Sequence, residues 1–265
     1  MVEGAATSST GCIRTQKRDE VLIVAIDRQA KRNCLNDAAV LELQGVFDTL
    51  DEGVKAIVLT GEGPNFSAGL DLSELTERDI VAGIAHSRMW HSVFEKIQFG
   101  RVPVVAVMRG AVIGGGLELA CAAHVRVAEK SAYYALPEGQ RGIYVGGGAS
   151  VRLPPLIGVS RMMEMMLTGR TYSADEGLAL GLSHYVEEDG AGLARGIELA
   201  EKIAGNVGMT NFALMHALPR IANADPATGL LMEALMAGAA QASPDAKQRL
   251  QDFLEKRSAK VIPQK

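Results

Sequence analysis

Aromatic side chains are scarce in this chain, 5% of 265 residues with a single tryptophan, so Ala, Gly and Met must fill much of the interior. That suits closely packed helices and close backbone approaches. Cysteine is scarcer still. Cys12, Cys34 and Cys121 are widely spaced, odd in number and form no CxxC pair. The pattern is that of a reduced cytoplasm, with Cys121 a core residue. Positive charge is in deficit: the formal net charge is −4. This argues against nucleic-acid binding through bulk positive charge and leaves room for an anionic ligand held by a few local cations. No stretch approaches the ~20 continuous apolar residues of a membrane span. Met1 to Gly11 is small and polar, without the charged-then-apolar order of a signal peptide. Residues 1–12 are expected to form a disordered lead-in.

What is present points to one large domain, or one with an appendage, since 48% of the residues are apolar. Val21–Ile26 and Ala56–Thr60 read as strands flanking a helix that carries Val40, Leu43, Phe47 and Leu50 at helical spacing. Asn36 or Asp37 caps that helix and Gly53 ends it. Strand, helix, strand predicts a parallel sheet. A long amphipathic helix is expected over 80–99, a strand over 103–107, strand-like runs at 124–128 and 132–135, and helices at 161–167 and 174–180. From about Ala191 the pattern is helical only, in segments 193–204, 211–221, 227–240 and 246–257. The expected division is therefore a core at 13–205 and a helical region at 206–265.

Between the strand near Val104 and a helix through Ala123 lie three consecutive glycines, Gly114, Gly115 and Gly116. Without Cβ atoms their N–H groups are open to close approach. The first N–H groups of a helix also lack intrahelical partners, so the turn suits negative charge. Glu118 stands just inside that helix. Ala68-Gly69-Leu70-Asp71 is a second glycine turn after a strand, able to offer another free N–H, and Glu138 follows a strand and faces a glycine-rich loop. Two donors converging on one oxygen form an oxyanion hole. Two carboxyls beside it could divide acid and base duties. Each feature alone has a plainer meaning: a packing turn, a helix-dipole partner, a helix start, a solvated loop.

In combination and in order, these pieces resemble the crotonase superfamily, the enoyl-CoA hydratase/isomerase family. The resemblance runs from about residue 13 to 257 and also takes in Lys31 to Asn36, Phe66 to Leu72, Pro137-Glu138 with the loop to Leu153, and Leu167 to Arg170. It implies an α/β crotonase-like spiral of ββα units with a helical C-terminal trimerisation region, as a homotrimer or dimer of trimers. It also implies an oxyanion hole from the amides of Leu70 and Gly115. Glu138 would protonate the α-carbon, Glu118 would activate the attacking water, and Gly146 would lie beside that water. The coenzyme A portion would meet Lys31, Arg32, Ala68 and Asp71, and Phe253 and Lys256 resemble positions that reach a neighbouring subunit's ligand. With both acids retained, the implied activity is hydration of a 2-enoyl-CoA in the cytoplasm. Water is the cosubstrate, coenzyme A enters as part of the substrate, and no metal, redox cofactor, nucleic acid or membrane takes part. The alternatives are a Δ3,Δ2-isomerase, an aromatic acyl-CoA hydratase-lyase, or a CoA-thioester-binding protein without catalysis. Two departures stand out. His124 occupies a position where relatives carry Asp and is expected to be structural. Val145 replaces a proline in a loop with Arg141 and Tyr144 that shapes the acyl pocket.

Overall fold

Runs that are apolar on both faces need cover on both sides. The computed structural model, which describes residues 7–74 and 77–255, meets that need for the two runs flanking the first helix. In chain order the strands are β1 (Thr7–Thr10), β2 (Ile13–Arg18), β3 (Val21–Ile26), β4 (Ala56–Gly61), β5 (Val104–Met108), β6 (Ala111–Ile113), β7 (Val125–Glu129), β8 (Tyr133–Ala135), β9 (Tyr172–Ser173) and β10 (Tyr185–Glu187). The main sheet has seven strands ordered β1-β2-β3-β4-β5-β7-β10, antiparallel from β1 to β3 and parallel from β3 onward. Strands β6, β8 and β9 form a second sheet.

The helices of the first unit, which ends at Ala204, are α1 (Asp37–Asp48), α2 (Ile80–Gln98), α3 (Gly115–Ala122), α4 (Ala149–Arg152), α5 (Pro154–Ile157), α6 (Val159–Thr168), α7 (Ala174–Leu180) and α8 (Gly192–Ala204). Alternate strand residues point to opposite faces, and each face has its own cover. Val21, Val58, Val105 and Val107 pack on Ile197 and Ala200 of α8. Val24, Ile57, Leu59 and Ala106 pack with Leu43, Phe94 and Ile97 of α1 and α2. Each fully buried Val, Leu, Ile or Phe among them contributes ~1.5–3 kcal/mol. Helix α8 lies flush on the sheet: a Cβ at Gly196 would fall 2.3 Å from Val107 Cγ2.

Local signals explain the boundaries. Asn36, rather than Asp37, caps α1 by accepting from the Ala39 N–H at 2.9 Å, and the helix ends at Asp48, before Gly53. Asp79 caps α2 through Ala82, and Ser173 with Glu176 forms a reciprocal capping box on α7. The lead-in departs from expectation. Residues 7–10 are a strand, paired to β2 across a two-residue turn in which Gly11 has φ 65°. The Glu42 carboxylate holds this turn by accepting from Cys12 N–H at 2.8 Å and Ile13 N–H at 3.1 Å. Residues 1–6 lie outside the described residues.

The second unit begins at Gly205 and is helical throughout its described part: α9 (Gly208–Phe212), α10 (Leu218–Ala222), α11 (Pro226–Ala242) and α12 (Pro244–Leu254). The single helix expected over 211–221 is interrupted by a π-turn at Ala213–Ala217. Pro219 has no N–H to offer the Met215 carbonyl, so the backbone widens there. Leu230, Leu231 and Leu235 of α11 are exposed, as are Leu250, Phe253 and Leu254 of α12. Lys256 and Arg257 lie outside the described residues. Among the described residues no helix is long and apolar enough to cross a membrane.

Candidate active site

Strands β6 and β8 are parallel neighbours, with Ile113 opposite Ala135, so the chain leaves both at the same edge of their sheet. Gly114 follows one and Pro137-Glu138 follows the other. Gly114 donates its N–H to the Ala135 carbonyl at 2.9 Å. It sits at φ 51°, ψ −122°, a conformation open to glycine, and a Cβ there would lie 2.7 Å from Glu138 Oε1.

A third segment joins this edge. Ser67 donates its N–H to Ala111 at 2.9 Å, and Ile113 donates to Ser67 at 3.1 Å, so residues 67–70 run beside β6. The turn is also clamped from Leu35, which donates to the Gly69 carbonyl at 2.7 Å and accepts from the Asp71 N–H at 2.8 Å. The amides of Leu70 and Gly115 thereby meet. A Cβ at Gly115 would lie 3.5 Å from Leu70 N, and one at Gly69 would lie 3.3 Å from Gly115 N. Among the described residues neither N–H is engaged in a hydrogen bond. Two free donors beside a helix N-terminus stabilise negative charge developing on one oxygen.

Two carboxyls flank these donors in contrasting settings. Glu118, in the first turn of α3, is buried, and its Oε1 accepts from Gly147 N–H at 2.8 Å and Ala149 N–H at 3.0 Å. Burial pushes its pKa up, opposed by the amides of Ala149, Gly147 and Gly146 and by the Arg152 charge. Glu138 is 7% exposed, and its Oε2 has no partner among the described residues. Burial pushes its pKa up to about 7, with the Glu118 charge adding to the rise and Arg141 opposing it.

Leu70, Gly115, Glu118, Glu138 and Gly146 all line one cavity of about 360 Å³. The other expected ligand residues lie outside its wall. Asp71 is buried. It accepts from Arg28 at 3.1 Å and from the Ser73 hydroxyl at 2.6 Å, and Lys31 approaches it at 3.4 Å. Those partners, the Ser73 hydroxyl foremost, hold its pKa down at about 2. Asp71 thus ties the 28–34 loop to the 68–73 turn. Lys31 also donates to Ser73 Oγ at 2.6 Å, Arg32 donates to Tyr133 Oη at 2.5 Å, and the Ala68 N–H donates to the Arg32 carbonyl at 3.0 Å. His124 is structural: its Nδ1 accepts from Val104 N–H and its Nε2 donates to the Gln98 carbonyl, both at 3.0 Å. Val145 is buried on the cavity wall, while Tyr144 stands at its mouth, 70% exposed.

The α2 wall escaped the sequence reading. Gly83, His86, Ser87 and Trp90 recur at i, i+3, i+4 and i+7 and face the same cavity. The available signal was a polar pair, His86 and Ser87, on the helix stripe that ends in the buried Trp90. Asp37 braces that stripe, 2.7 Å from His86 Nε2 and accepting from Trp90 Nε1 at 3.2 Å.

Comparison with known proteins identifies the family. The sequence matches the enoyl-CoA hydratase/isomerase family over residues 16–262. A short-chain-enoyl-CoA hydratase of Clostridium acetobutylicum is 31% identical over 245 residues, spanning 91% of this chain and 94% of that protein. A 2,3-dehydroadipyl-CoA hydratase of Escherichia coli is 30% identical over 244 residues, spanning 91% and 95%. A crystal structure from Rhodopseudomonas palustris, described provisionally as an enoyl-CoA hydratase, has a TM-score of 0.92 at 54% identity and covers 97% of this chain and 100% of its own. On its sequence and its architecture, an α/β crotonase fold with a helical C-terminal region, the chain belongs to the enoyl-CoA hydratase/isomerase family.

Proposed function

We propose that the chain is an enoyl-CoA hydratase that adds water in syn fashion across the 2,3 double bond of a 2-enoyl-CoA thioester. The observation that carries this is the meeting of two unengaged amides, at Leu70 and Gly115, with two buried carboxyls on one cavity. The thioester oxygen accepts both N–H groups. As the Glu118 carboxylate takes a proton from water, the water oxygen bonds to the β-carbon and the double-bond electrons move through the α-carbon to the thioester oxygen. The resulting enolate is where preorganised donors help most. Glu138, protonated beforehand, then delivers its proton to the α-carbon. Gly146, on the loop that holds Glu118, lies beside the water.

The coenzyme A portion runs toward Lys31 and Arg32, whose charges meet its phosphates, and toward Ala68, whose carbonyl accepts no hydrogen bond among the described residues. Asp71 orders that loop. Coenzyme A enters with the substrate, and the chemistry needs no resident cofactor. The exposed leucines of α11 suit burial between subunits of a trimer or dimer of trimers, in the cytoplasm.

Crotonyl-CoA tests the proposal. Hydration removes the conjugation, so the thioester's absorbance should fall on adding the protein. An unchanged absorbance with the thioester bound would mark a binding protein, and activity confined to a 3-enoyl-CoA would mark an isomerase.

A further inference from the structure

One peptide unit in the loop before α4 is gripped at both ends. The Gly146 carbonyl accepts from Ser87 Oγ at 2.7 Å, and the N–H of the same unit, on Gly147, donates to Glu118 Oε1 at 2.8 Å. Ser87 Oγ also lies 3.3 Å from His91 Nε2. A serine hydroxyl has one proton, and the shorter contact takes it, so His91 Nε2–H is the donor at the longer one. The bonds then point one way: His91 to Ser87, Ser87 to the Gly146 carbonyl, Gly147 to the carboxylate. Aligned chains of this kind polarise one another. The loop is also wedged between α2 and α3, since a Cβ at Gly147 would fall 2.9 Å from Phe94 Cε2 and 3.0 Å from Glu118 Oε2. The peptide cannot shift without moving one of these partners.

We propose that Ser87 is a positioning residue for Glu118, acting through the Gly146–Gly147 peptide to aim one amide at Oε1 and leave Oε2 for the attacking water. Ser87 holds the carbonyl from the α2 side, so the amide at the other end of the same plane is fixed without touching the reacting atoms. Removing the hydroxyl takes away the hold on the carbonyl end, so the Gly147 amide can tilt off its line to Oε1 within the space the packing leaves. A carboxylate that loses a well-aligned donor becomes a stronger base, so Glu118 should protonate at higher pH. The effect of Ser87 on rate rests on Glu118 acting as base in the hydration proposed above; its effect on the carboxyl does not.

The experiment pairs Ser87→Ala with Ser87→Thr, which keeps the hydroxyl, and reads both quantities. Carbon-13 NMR of the Glu side chains, with Glu118 identified by its loss in Glu118→Gln, should show its titration midpoint raised in Ser87→Ala and near wild type in Ser87→Thr. With crotonyl-CoA, Ser87→Ala should lower kcat about tenfold with KM within about twofold, and the acid limb of the rate profile should move to higher pH. In a Glu118→Gln background the same change should cost nothing further, because the residue through which Ser87 acts is already disabled. An unmoved midpoint in Ser87→Ala, or an equal loss of rate in the Glu118→Gln background, overturns the proposal. A raised midpoint in Ser87→Ala, found in a protein whose wild type hydrates nothing, supports the positioning and rejects the hydratase.

Discussion

Glu118 and Glu138 face the same cavity, yet one has an oxygen held by two amides while the other keeps an oxygen buried without a partner among the described residues. Amide donors favour the ionised form, and an unpartnered buried oxygen favours the protonated one. Burial still raises the Glu118 carboxyl overall, so the contrast is one of degree, and in the proposed hydration it favours Glu118 as the base and Glu138 as the acid.

Conversion of either acid to its amide tests that division. Glu118→Gln and Glu138→Gln should each reduce kcat for crotonyl-CoA hydration by about 10²–10⁴-fold. Affinity for a saturated acyl-CoA, measured by calorimetry, should stay within about threefold, since neither group holds the coenzyme portion. A variant with near-wild-type kcat would remove that residue from the mechanism.

The raised pKa of Glu138 makes both rate and stability depend on pH. As the proton donor in hydration it must be protonated, so the rate should fall as pH rises through about 7. The same shift has a cost. The folded state holds this proton up to about 7 while the unfolded chain releases it near 4.5, so stability falls as pH rises between those values. Glu138→Gln cannot ionise and should be more stable than wild type at pH 8 by about 1–3 kcal/mol, with the gap closing toward pH 4. Thermal melts of both proteins across that range provide the measurement.

Gly114→Ala should be damaging in two separable ways. The added Cβ would lie 2.7 Å from Glu138 Oε1 and force the carboxyl aside. Displacing a catalytic group by about an ångström can cost on the order of 10² in rate. The positive φ adds a strain of about 1–2 kcal/mol, visible as a lower melting temperature. An alanine variant with full activity would show that the carboxyl works from another position.

The 28–34 loop permits a contrast between ligand contact and support. Lys31→Ala and Arg32→Ala should raise KM for acyl-CoA several-fold, more at low salt, with kcat little changed. Asp71→Asn removes the negative charge buried against Arg28 and should instead destabilise the fold by about 3 kcal/mol. Salt-dependent kinetics and denaturant titration separate the two.

Legibility in the sequence followed the range of each interaction. The glycine turns at 114–116 and 68–71 and the acid at Glu118 are legible because turn, helix start and acid are neighbours along the chain, whereas the choice of Gly115 and Leu70 as the two donors rests on the family resemblance. The parallel pairing of β3 with β4 followed from the helix between them. The polar pair His86 and Ser87 beside Trp90 is only a faint local sign and Asp37 gives none, since their roles exist only once α2 lies over the cavity and the tip of α1 reaches Trp90. Thr7–Thr10 was missed because polar strands lack the apolar run that marks a buried one, and the short β9 and β10 offer too few residues for a period to show. Pro219 was visible, but its effect on the helix around it depends on which carbonyl it leaves unserved.

The side-by-side exit of β6 and β8 has an evolutionary consequence. Because Gly115 and Glu138 are delivered from the tips of two ribbons locked in step, substitutions along either ribbon leave their relative placement intact. Adding or deleting one residue would swing the tip to the opposite side and part the donor from the acid. Change in this lineage should therefore arrive as exchanged side chains on the α2 wall and in the 141–147 loop, while the length of these two short ribbons stays frozen.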